Sequence, residues 1–196
     1  MPVVGKRFRD ALTWAAELHE DQERKGGNIP YVAHLLGVAS IVLEHGGSED
    51  QAIAALLHDA LEDQAHKISA GEITARFGDQ VERIVQACTD GDPEEQRDRN
   101  KERWYERKRK YISGIAAKPS QAILVSMADK LHNARAILED YRALGPPVWS
   151  RFTTGKEGTL WYYRSMVDAF ESSGHDRLRG ELRRTVSELE NLVNAV

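Results

Sequence analysis

The sequence contains a single cysteine, Cys88, and no long hydrophobic run. One cysteine excludes an intrachain disulfide, and its apolar neighbours favour a small buried side chain. No segment approaches the roughly 20 apolar residues that a membrane span needs. Arg7, Arg9 and Asp10 interrupt the first residues, so we expect no secretory signal peptide. These absences predict a soluble, cytoplasmic protein with no membrane partner.

An excess of positive charge is also missing, since the formal net charge is −4. General binders of nucleic acids or anionic membranes carry a basic excess, so both classes are excluded. The cations that do cluster lie between residues 97 and 110, where Glu102 and Glu106 are interleaved. This pattern is typical of a solvated helix with ion pairs. The run from Arg107 to Lys110 exceeds what these acids can pair, which leaves a local anion site as the alternative.

Strand-period segments, internal repeats and linkers are absent as well, and helical spacing prevails. We predict an all-α fold with one domain of about eight to ten helices. Its core spans about residues 7–172, followed by a C-terminal helix over about 176–194. The predicted features are helices over about 7–23, 31–43, 70–77 and 119–141, an exposed loop over 90–97, and a loop bracketed by Gly155 and Gly158. The stripe of the last helix closes the core or forms a dimer seam.

The segment from Ala54 to Asp63 contains four ionisable side chains in six positions. Ser48 and Gln51 form a capping-box pattern, which predicts that its helix begins near Glu49. Apolar residues occupy one face, and the other face holds the four ionisable residues His58, Asp59, Glu62 and Asp63. A solvated acidic face is the simpler interpretation. However, carboxylates with no nearby cation favour a metal ion or a positive neighbour from elsewhere in the fold.

Two further ionisable residues are predicted to be buried. His34 lies on a helix that is apolar nearly all round, and Asp129 follows the apolar first half of the long helix. An isolated buried carboxylate must be paired, protonated or bound to a metal. With His58 and Asp59, these residues form a mixed nitrogen and oxygen set that suits Mn²⁺, Fe²⁺ or Zn²⁺ better than Ca²⁺. The absence of cysteine ligands argues against a structural zinc site.

The order His34, His58-Asp59 and Asp129 resembles the signature of the HD superfamily of metal-dependent phosphohydrolases. The longer pattern His-Asp-x-x-Glu-Asp over 58–63, with Ala-Asp-Lys-Leu-His-Asn over 128–133, is similar to a narrower group. That group is the hydrolase branch of the RelA/SpoT stringent-response enzymes and the small alarmone hydrolases. The likeness runs from about His19 to Phe170 and implies a single HD-domain helical bundle.

The resemblance also implies roles for individual residues. The metal ligands, usually for Mn²⁺, match His34, His58, Asp59 and Asp129. The acidic pair that handles the attacking water matches Glu62 and Asp63. Substrate contacts match Arg24 and Lys25 near the base, Asn133 near the ribose and metal, Tyr162 in the nucleotide pocket and Lys108 toward the phosphates.

The activity implied by the resemblance is removal of the 3′-pyrophosphate from ppGpp or pppGpp, giving GDP or GTP and pyrophosphate. Because no segment matches a synthetase domain, we expect a stand-alone hydrolase. One alternative is an HD phosphohydrolase that acts on a 5′-nucleotide, a cyclic nucleotide or NADPH. Another is a non-catalytic, metal-containing binding module. The C-terminal helix also suggests a homo-oligomer.

Overall fold

Helices make up the regular structure of this protein. The computed structural model describes residues 4–89 and 100–195. Within these ranges there are ten α-helices, two short 3₁₀ segments and no β-strand, which confirms the all-α prediction. The helices are α1 Lys6–Leu18, α2 Val32–Glu44, α3 Glu49–Leu57, α4 Ala60–Asp63, α5 Ala70–Phe77, α6 Asp79–Cys88, α7 Lys101–Gly114, α8 Ser120–Leu144, α9 Gly155–Ala169 and α10 Asp176–Asn194. The 3₁₀ segments are Ile115–Ala117 and Pro146–Arg151. The predicted loop over 90–97 lies outside the described residues.

Helix α3 is the centre of the fold, because every residue from Gln51 to Leu57 is buried. It begins at Glu49, as predicted, because the Ser48 hydroxyl accepts from the Gln51 N–H and the Gln51 side chain accepts from the Ser48 N–H. Helices α1, α2, α6 and α8 surround it. His58, just beyond α3, is buried, and Asp59, Glu62 and Asp63 are only partly exposed, so the simpler interpretation of a solvated acidic face is wrong.

The first helix ends earlier than predicted, at Leu18 instead of near Glu23. The backbone beyond it forms a turn, in which the Tyr31 N–H donates to the Gln22 carbonyl and the Arg24 N–H donates to the Ile29 carbonyl, each at 2.9 Å. These bonds across the turn replace helical ones. Gly26, at φ +86°, allows the chain to reverse direction there. The turn presents Arg24 and Lys25 together.

The predicted helix from Glu49 to Asp63 is interrupted. Helix α3 ends at Leu57 and α4 begins at Ala60, so His58 and Asp59 lie at the junction. His58 Nδ1 lies 2.8 Å from the Ala55 carbonyl, the group that would accept from the Asp59 N–H in a continuous α-helix. The side chain of His58 thus competes with the helical hydrogen bond, and the two site residues sit at a break between helices.

A further correction concerns Gly155 and Gly158, which do not bracket a loop. Gly155 is the first residue of α9, and Gly158 lies buried in its first turn. A Cβ atom at position 158 would collide with the side chains of Thr154 and Tyr105. Gly158 therefore permits close packing between α7 and α9.

The C-terminal helix α10 closes the core. Its apolar stripe is buried and comprises Leu178, Leu182, Val186, Leu189 and Val193. The helix packs against α8 and α9, and these intrachain contacts bury the stripe. A homo-oligomer through α10 stays a prediction, and its interface would need the outer face of the helix. Cys88 is buried, as predicted. In the part of the chain that the structure describes, no helix is long and apolar enough to cross a membrane.

Candidate metal centre and active site

Side chains predicted to bind a metal come together from distant parts of the chain, and His34, His58 and Asp59 place ligand atoms within 4.8 Å of one another. His34 comes from α2, His58 and Asp59 from the junction of α3 and α4, and Asp129 from α8. The Nε2 atom of His34 lies 3.6 Å from Asp59 Oδ2 and 3.3 Å from Asp129 Oδ1. The Nε2 atom of His58 lies 3.0 Å and 3.7 Å from the same two oxygens. Two nitrogens and two oxygens therefore face a common centre.

His58 is prepared to bind a cation at this centre. Its Nδ1 lies 2.8 Å from the Ala55 carbonyl, which can only accept, so Nδ1 carries a proton and Nε2 is the nitrogen that has the lone pair when the ring is neutral. Nε2 is buried and makes no well-formed hydrogen bond to the described residues. This tautomer and orientation are those of a metal-binding histidine whose second nitrogen is fixed by a carbonyl. The residues present therefore fit a divalent metal ion.

The charges around the centre are also suited to a cation. Burial opposes ionisation of Asp129, but Lys130 and then the two histidines hold the pKa of its carboxyl well below the usual range. His58 and His34 do the same for the pKa of Asp59. Although burial lowers it, the neighbouring carboxylates raise the pKa of His58 well above its ordinary value. A proton on His58 and a divalent cation thus compete for the same nitrogen.

Each carboxylate at the centre is held by a second residue. The Tyr31 hydroxyl donates to Asp59 Oδ2 at 2.6 Å. Asn133 donates to Asp129 Oδ1 and Lys130 to Asp129 Oδ2, both at 2.5 Å. The roles of Tyr31 and Lys130 were not predicted from the sequence. Tyr31 lies three residues before His34, and Lys130 directly follows Asp129. This proximity to two predicted ligands was the sign in the sequence that could have indicated their roles.

A second histidine supports His34. The Nδ1 atoms of His34 and His132 lie 2.9 Å apart. Burial first, and then His34 and Arg24, lower the pKa of His132 to about 4, so its ring is uncharged at neutral pH. If His34 keeps the Nε2 lone pair for a metal, its Nδ1–H donates to His132 Nδ1. Gly37 makes room for this ring, because a Cβ there would collide with it.

The acidic pair Glu62 and Asp63 lies on α4, one turn after Asp59. Asp63 Oδ2 accepts a hydrogen bond from Gln22 Nε2 at 2.7 Å. Burial and then the charge of Asp59 raise the pKa of Asp63 above its ordinary value. A carboxylate with a raised pKa is a better proton acceptor than an exposed one.

Two of the predicted substrate residues adjoin Asp129 from one side. Arg24 Nη2 donates to Asn133 Oδ1 at 2.9 Å, and Asn133 in turn donates to Asp129. A line of two hydrogen bonds therefore joins the turn after α1 to the metal centre. Lys25 is exposed on the same turn.

The other two predicted substrate residues are linked to Asp129 through Lys130. Lys108 Nζ on α7 is 5.1 Å from the centre of the Tyr162 ring on α9. Lys130 Nζ, which binds Asp129, is 5.9 Å from the same ring. The candidate substrate contacts are thus connected to Asp129 by two routes, one through Asn133 and one through Lys130.

Comparisons with known proteins agree with this geometry. A family model described as an HD domain matches residues 11–159. The chain is 38% identical over 144 residues to the Xenopus tropicalis guanosine-3′,5′-bis(diphosphate) 3′-pyrophosphohydrolase MESH1, covering 72% of this chain and 73% of that protein. It is 34% identical over 132 residues to the Escherichia coli bifunctional (p)ppGpp synthase/hydrolase SpoT, covering 67% of this chain and 18% of SpoT.

Solved structures also match this chain over most of its length. A structure described as a metazoan orthologue of SpoT that hydrolyses ppGpp superimposes with a TM-score of 0.76 and 27% identity, covering 95% of this chain and 97% of that one. The protein lmo0812 from Listeria monocytogenes superimposes with a TM-score of 0.64 and 26% identity, covering 79% and 99%. With its converging histidine and aspartate side chains, the chain belongs to the HD-domain family and, within it, to the group that contains the MESH1 and SpoT hydrolases.

Proposed function

We propose that this protein is a Mn²⁺-dependent hydrolase that removes the 3′-pyrophosphate from ppGpp or pppGpp, giving GDP or GTP and pyrophosphate. The observation that carries the proposal is the convergence of His34, His58, Asp59 and Asp129, with an acidic pair one turn beyond. Relatives with names that state this activity support the substrate assignment. The intact ligand set argues against a binding module without turnover.

The metal would be held by the two imidazole Nε2 atoms and by one oxygen each of Asp59 and Asp129. Once bound, a divalent ion lowers the pKa of a coordinated water and polarises a phosphoryl oxygen. Lys130 neutralises the outer oxygen of Asp129, so Oδ1 is the oxygen left to face the centre. These residues would therefore form a metal site that is arranged before the metal binds and whose negative charge is partly neutralised by Lys130.

Asp63 is suited to take the proton of the attacking water. Its pKa is raised by burial, and its Oδ2 is oriented by Gln22. Glu62 lies beside it on the same short helix and would orient the water or share the proton. Hydrolysis adds water across the bond between the 3′-oxygen and the pyrophosphate, so one proton must be accepted and one delivered to the leaving oxygen.

The nucleotide requires added positive charge, because the centre is already anionic. Arg24 with Asn133, and Lys108 with Tyr162, would contact base, ribose and phosphates. A guanidinium and an ammonium recognise phosphate or base edges through charge-assisted hydrogen bonds. Lys25 on the exposed turn would add to this field when nucleotide is bound.

The deciding experiment is turnover of ppGpp by the purified protein with Mn²⁺, followed by anion-exchange separation of the products. We expect GDP and pyrophosphate. The matched control is Glu62→Gln, which keeps the size and the metal ligands and should lower kcat by about a hundredfold or more. Parallel reactions with Fe²⁺ and Zn²⁺ identify the metal that supports activity.

The same assay distinguishes the alternative functions. Release of phosphate from NADPH or a 5′-nucleotide, with none from ppGpp, would replace the proposed substrate while keeping the reaction class. Bound metal with no turnover of any of these nucleotides would favour a binding module.

A further inference from the structure

Gln22 links three side chains next to the acidic pair. Its Oε1 lies 2.7 Å from Gln64 Nε2 and 2.6 Å from His19 Nδ1, and its Nε2 lies 2.7 Å from Asp63 Oδ2. A carboxylate only accepts hydrogen bonds, so the amide nitrogen of Gln22 must face Asp63. The amide oxygen must then face Gln64 and His19. The network therefore has one consistent direction.

This direction fixes the proton on His19. Because Gln22 Oε1 is an acceptor, His19 Nδ1 must donate and therefore carries the ring proton. Burial is the largest effect on His19 and lowers its pKa below the ordinary value, so the ring is neutral at neutral pH. A neutral imidazole with its proton on Nδ1 has a lone pair on Nε2. His19 thus offers one acceptor that Gln22 does not use.

The acceptor is buried beside the metal centre. Only 2% of His19 is exposed, and its Nε2 has no hydrogen-bond partner among the described residues. The His19 ring stacks on Tyr31 at 5.1 Å between ring centres, and the hydroxyl of Tyr31 donates to Asp59. A buried acceptor without a donor costs free energy, and such groups in native proteins normally have a partner. The position indicates a ligand that brings an O–H group.

We propose that His19 is a further site residue with two functions. Its Nδ1–H fixes the Gln22 amide and, through it, the Asp63 carboxylate, while its Nε2 binds an O–H group that enters the site. This O–H group belongs either to the attacking water or to a hydroxyl of the nucleotide. The second function rests on the proposed hydrolysis, whereas the proton arrangement of the network does not.

The two functions are separated by two substitutions. His19→Asn places an amide near the position of Nδ1 and nothing at Nε2, whereas His19→Gln reaches the position of Nε2 and removes the Nδ1–H donor to Gln22. We expect His19→Asn to reduce kcat/KM about tenfold, the effect of one lost hydrogen bond. The loss falls on kcat if the O–H group belongs to water and on KM if it belongs to the nucleotide. Metal content should stay unchanged.

Unchanged kcat and KM in folded His19→Asn would overturn the function of Nε2. An independent readout is the ¹⁵N NMR spectrum of His19 in the wild-type protein, without metal or with diamagnetic Zn²⁺. We expect the tautomer with its proton on Nδ1, and a proton on Nε2 would overturn the whole inference. Because this spectrum needs no turnover, it distinguishes failure of this inference from failure of the proposed hydrolysis.

Discussion

The aspartates within the site differ in pKa because their surroundings differ. Asp59 and Asp129 face histidines or Lys130, which keep the pKa of both carboxyls low. Asp63, only four positions after Asp59, is half-buried with a neutral amide as its hydrogen-bond partner, and its pKa is raised. Divergent pKa values in neighbouring carboxylates separate charge-holding from proton-accepting roles. We therefore propose that Asp59 and Asp129 bind the metal and that Asp63 acts on the water.

The raised pKa of Asp63 predicts a stability effect. The folded state then holds the proton more tightly than the unfolded state, so stability falls as the pH rises from the ordinary pKa to the raised one. At neutral pH the ionised Asp63 is destabilising. We expect Asp63→Asn to raise the melting temperature of the metal-free protein at pH 7 while abolishing turnover, since asparagine still accepts from Gln22.

Thermal unfolding followed by circular dichroism across a pH series measures this effect. The gain should shrink as the pH decreases through the raised pKa and vanish below the ordinary value of an aspartate. Asp21→Asn, at an exposed position after α1, is the matched control and should change little. A gain for Asp63→Asn that is constant with pH would contradict the assignment.

Arg24 is predicted to act in substrate binding. Its guanidinium donates to Asn133 and lies next to the metal-binding residues, on a turn and not on α4. We expect Arg24→Ala to raise KM about tenfold or more with a smaller decrease in kcat, because the interaction is made in the ground state as well. Steady-state kinetics with ppGpp measures both values.

The neighbouring Lys25→Ala variant is the control for charge on this turn. Because Lys25 is exposed, its loss should raise KM less than the loss of Arg24. A fall in kcat with unchanged KM for Arg24→Ala would place Arg24 in the transition state.

Among the secondary-structure elements, the junction of α3 and α4 matters most. It turns His58 and Asp59 toward the metal centre and starts the short helix with the acidic pair. The periodicity of the sequence predicted one helix there, since each residue from Ile53 to Asp63 is compatible with helix. The helix breaks because the His58 side chain hydrogen-bonds to the Ala55 carbonyl in place of the Asp59 N–H. Side-chain competition for a backbone group is not visible in hydrophobic spacing.

The capping box at the start of α3 should contribute to stability without affecting chemistry. Ser48→Ala removes the hydroxyl that accepts from the Gln51 N–H, and we expect a loss of about 1 kcal/mol in the free energy of unfolding. Urea denaturation measures this loss. Ser69→Ala, at the equivalent box of α5, is the matched comparison. Reduced kcat at unchanged stability in Ser48→Ala would count against a purely structural role.

For the molecule as a whole, the metal centre joins parts of the chain that are far apart in sequence. His34 on α2, the junction of α3 and α4, and Asp129 on α8 meet only in the folded state. The unfolded chain has no such site. Metal binding should therefore stabilise the fold by mass action, in addition to any catalytic role.

We expect Mn²⁺ to raise the melting temperature of the protein and a chelator to reverse the change. At a metal concentration one hundred times the Kd, the gain is about 2.7 kcal/mol. His58→Ala should lose both the shift and the bound metal, measured by scanning calorimetry and elemental analysis. His45→Ala, at a histidine near α10 that pairs with Glu181, is the control and should keep the shift. Full metal content in His58→Ala would contradict the ligand assignment.

The sequence by itself determined the fold class, most helix positions and the candidate metal ligands. Helical spacing and local caps are short-range signals, so the starts at Glu49 and Ala70 and the end at Phe77 could be predicted. The metal ligands could be proposed because buried ionisable residues stand out against apolar helices, and because their order resembles a known family.

The tertiary structure alone decided which residues support the site. The contacts of Gln22 with Asp63 and of His34 with His132 join residues 41 and 98 positions apart. It also decided that the α10 stripe packs inside the chain and that His19 has a free acceptor next to the centre. Hydrogen-bond direction, burial and histidine tautomers depend on neighbours brought together by folding, and a local sequence pattern contains no information about those neighbours.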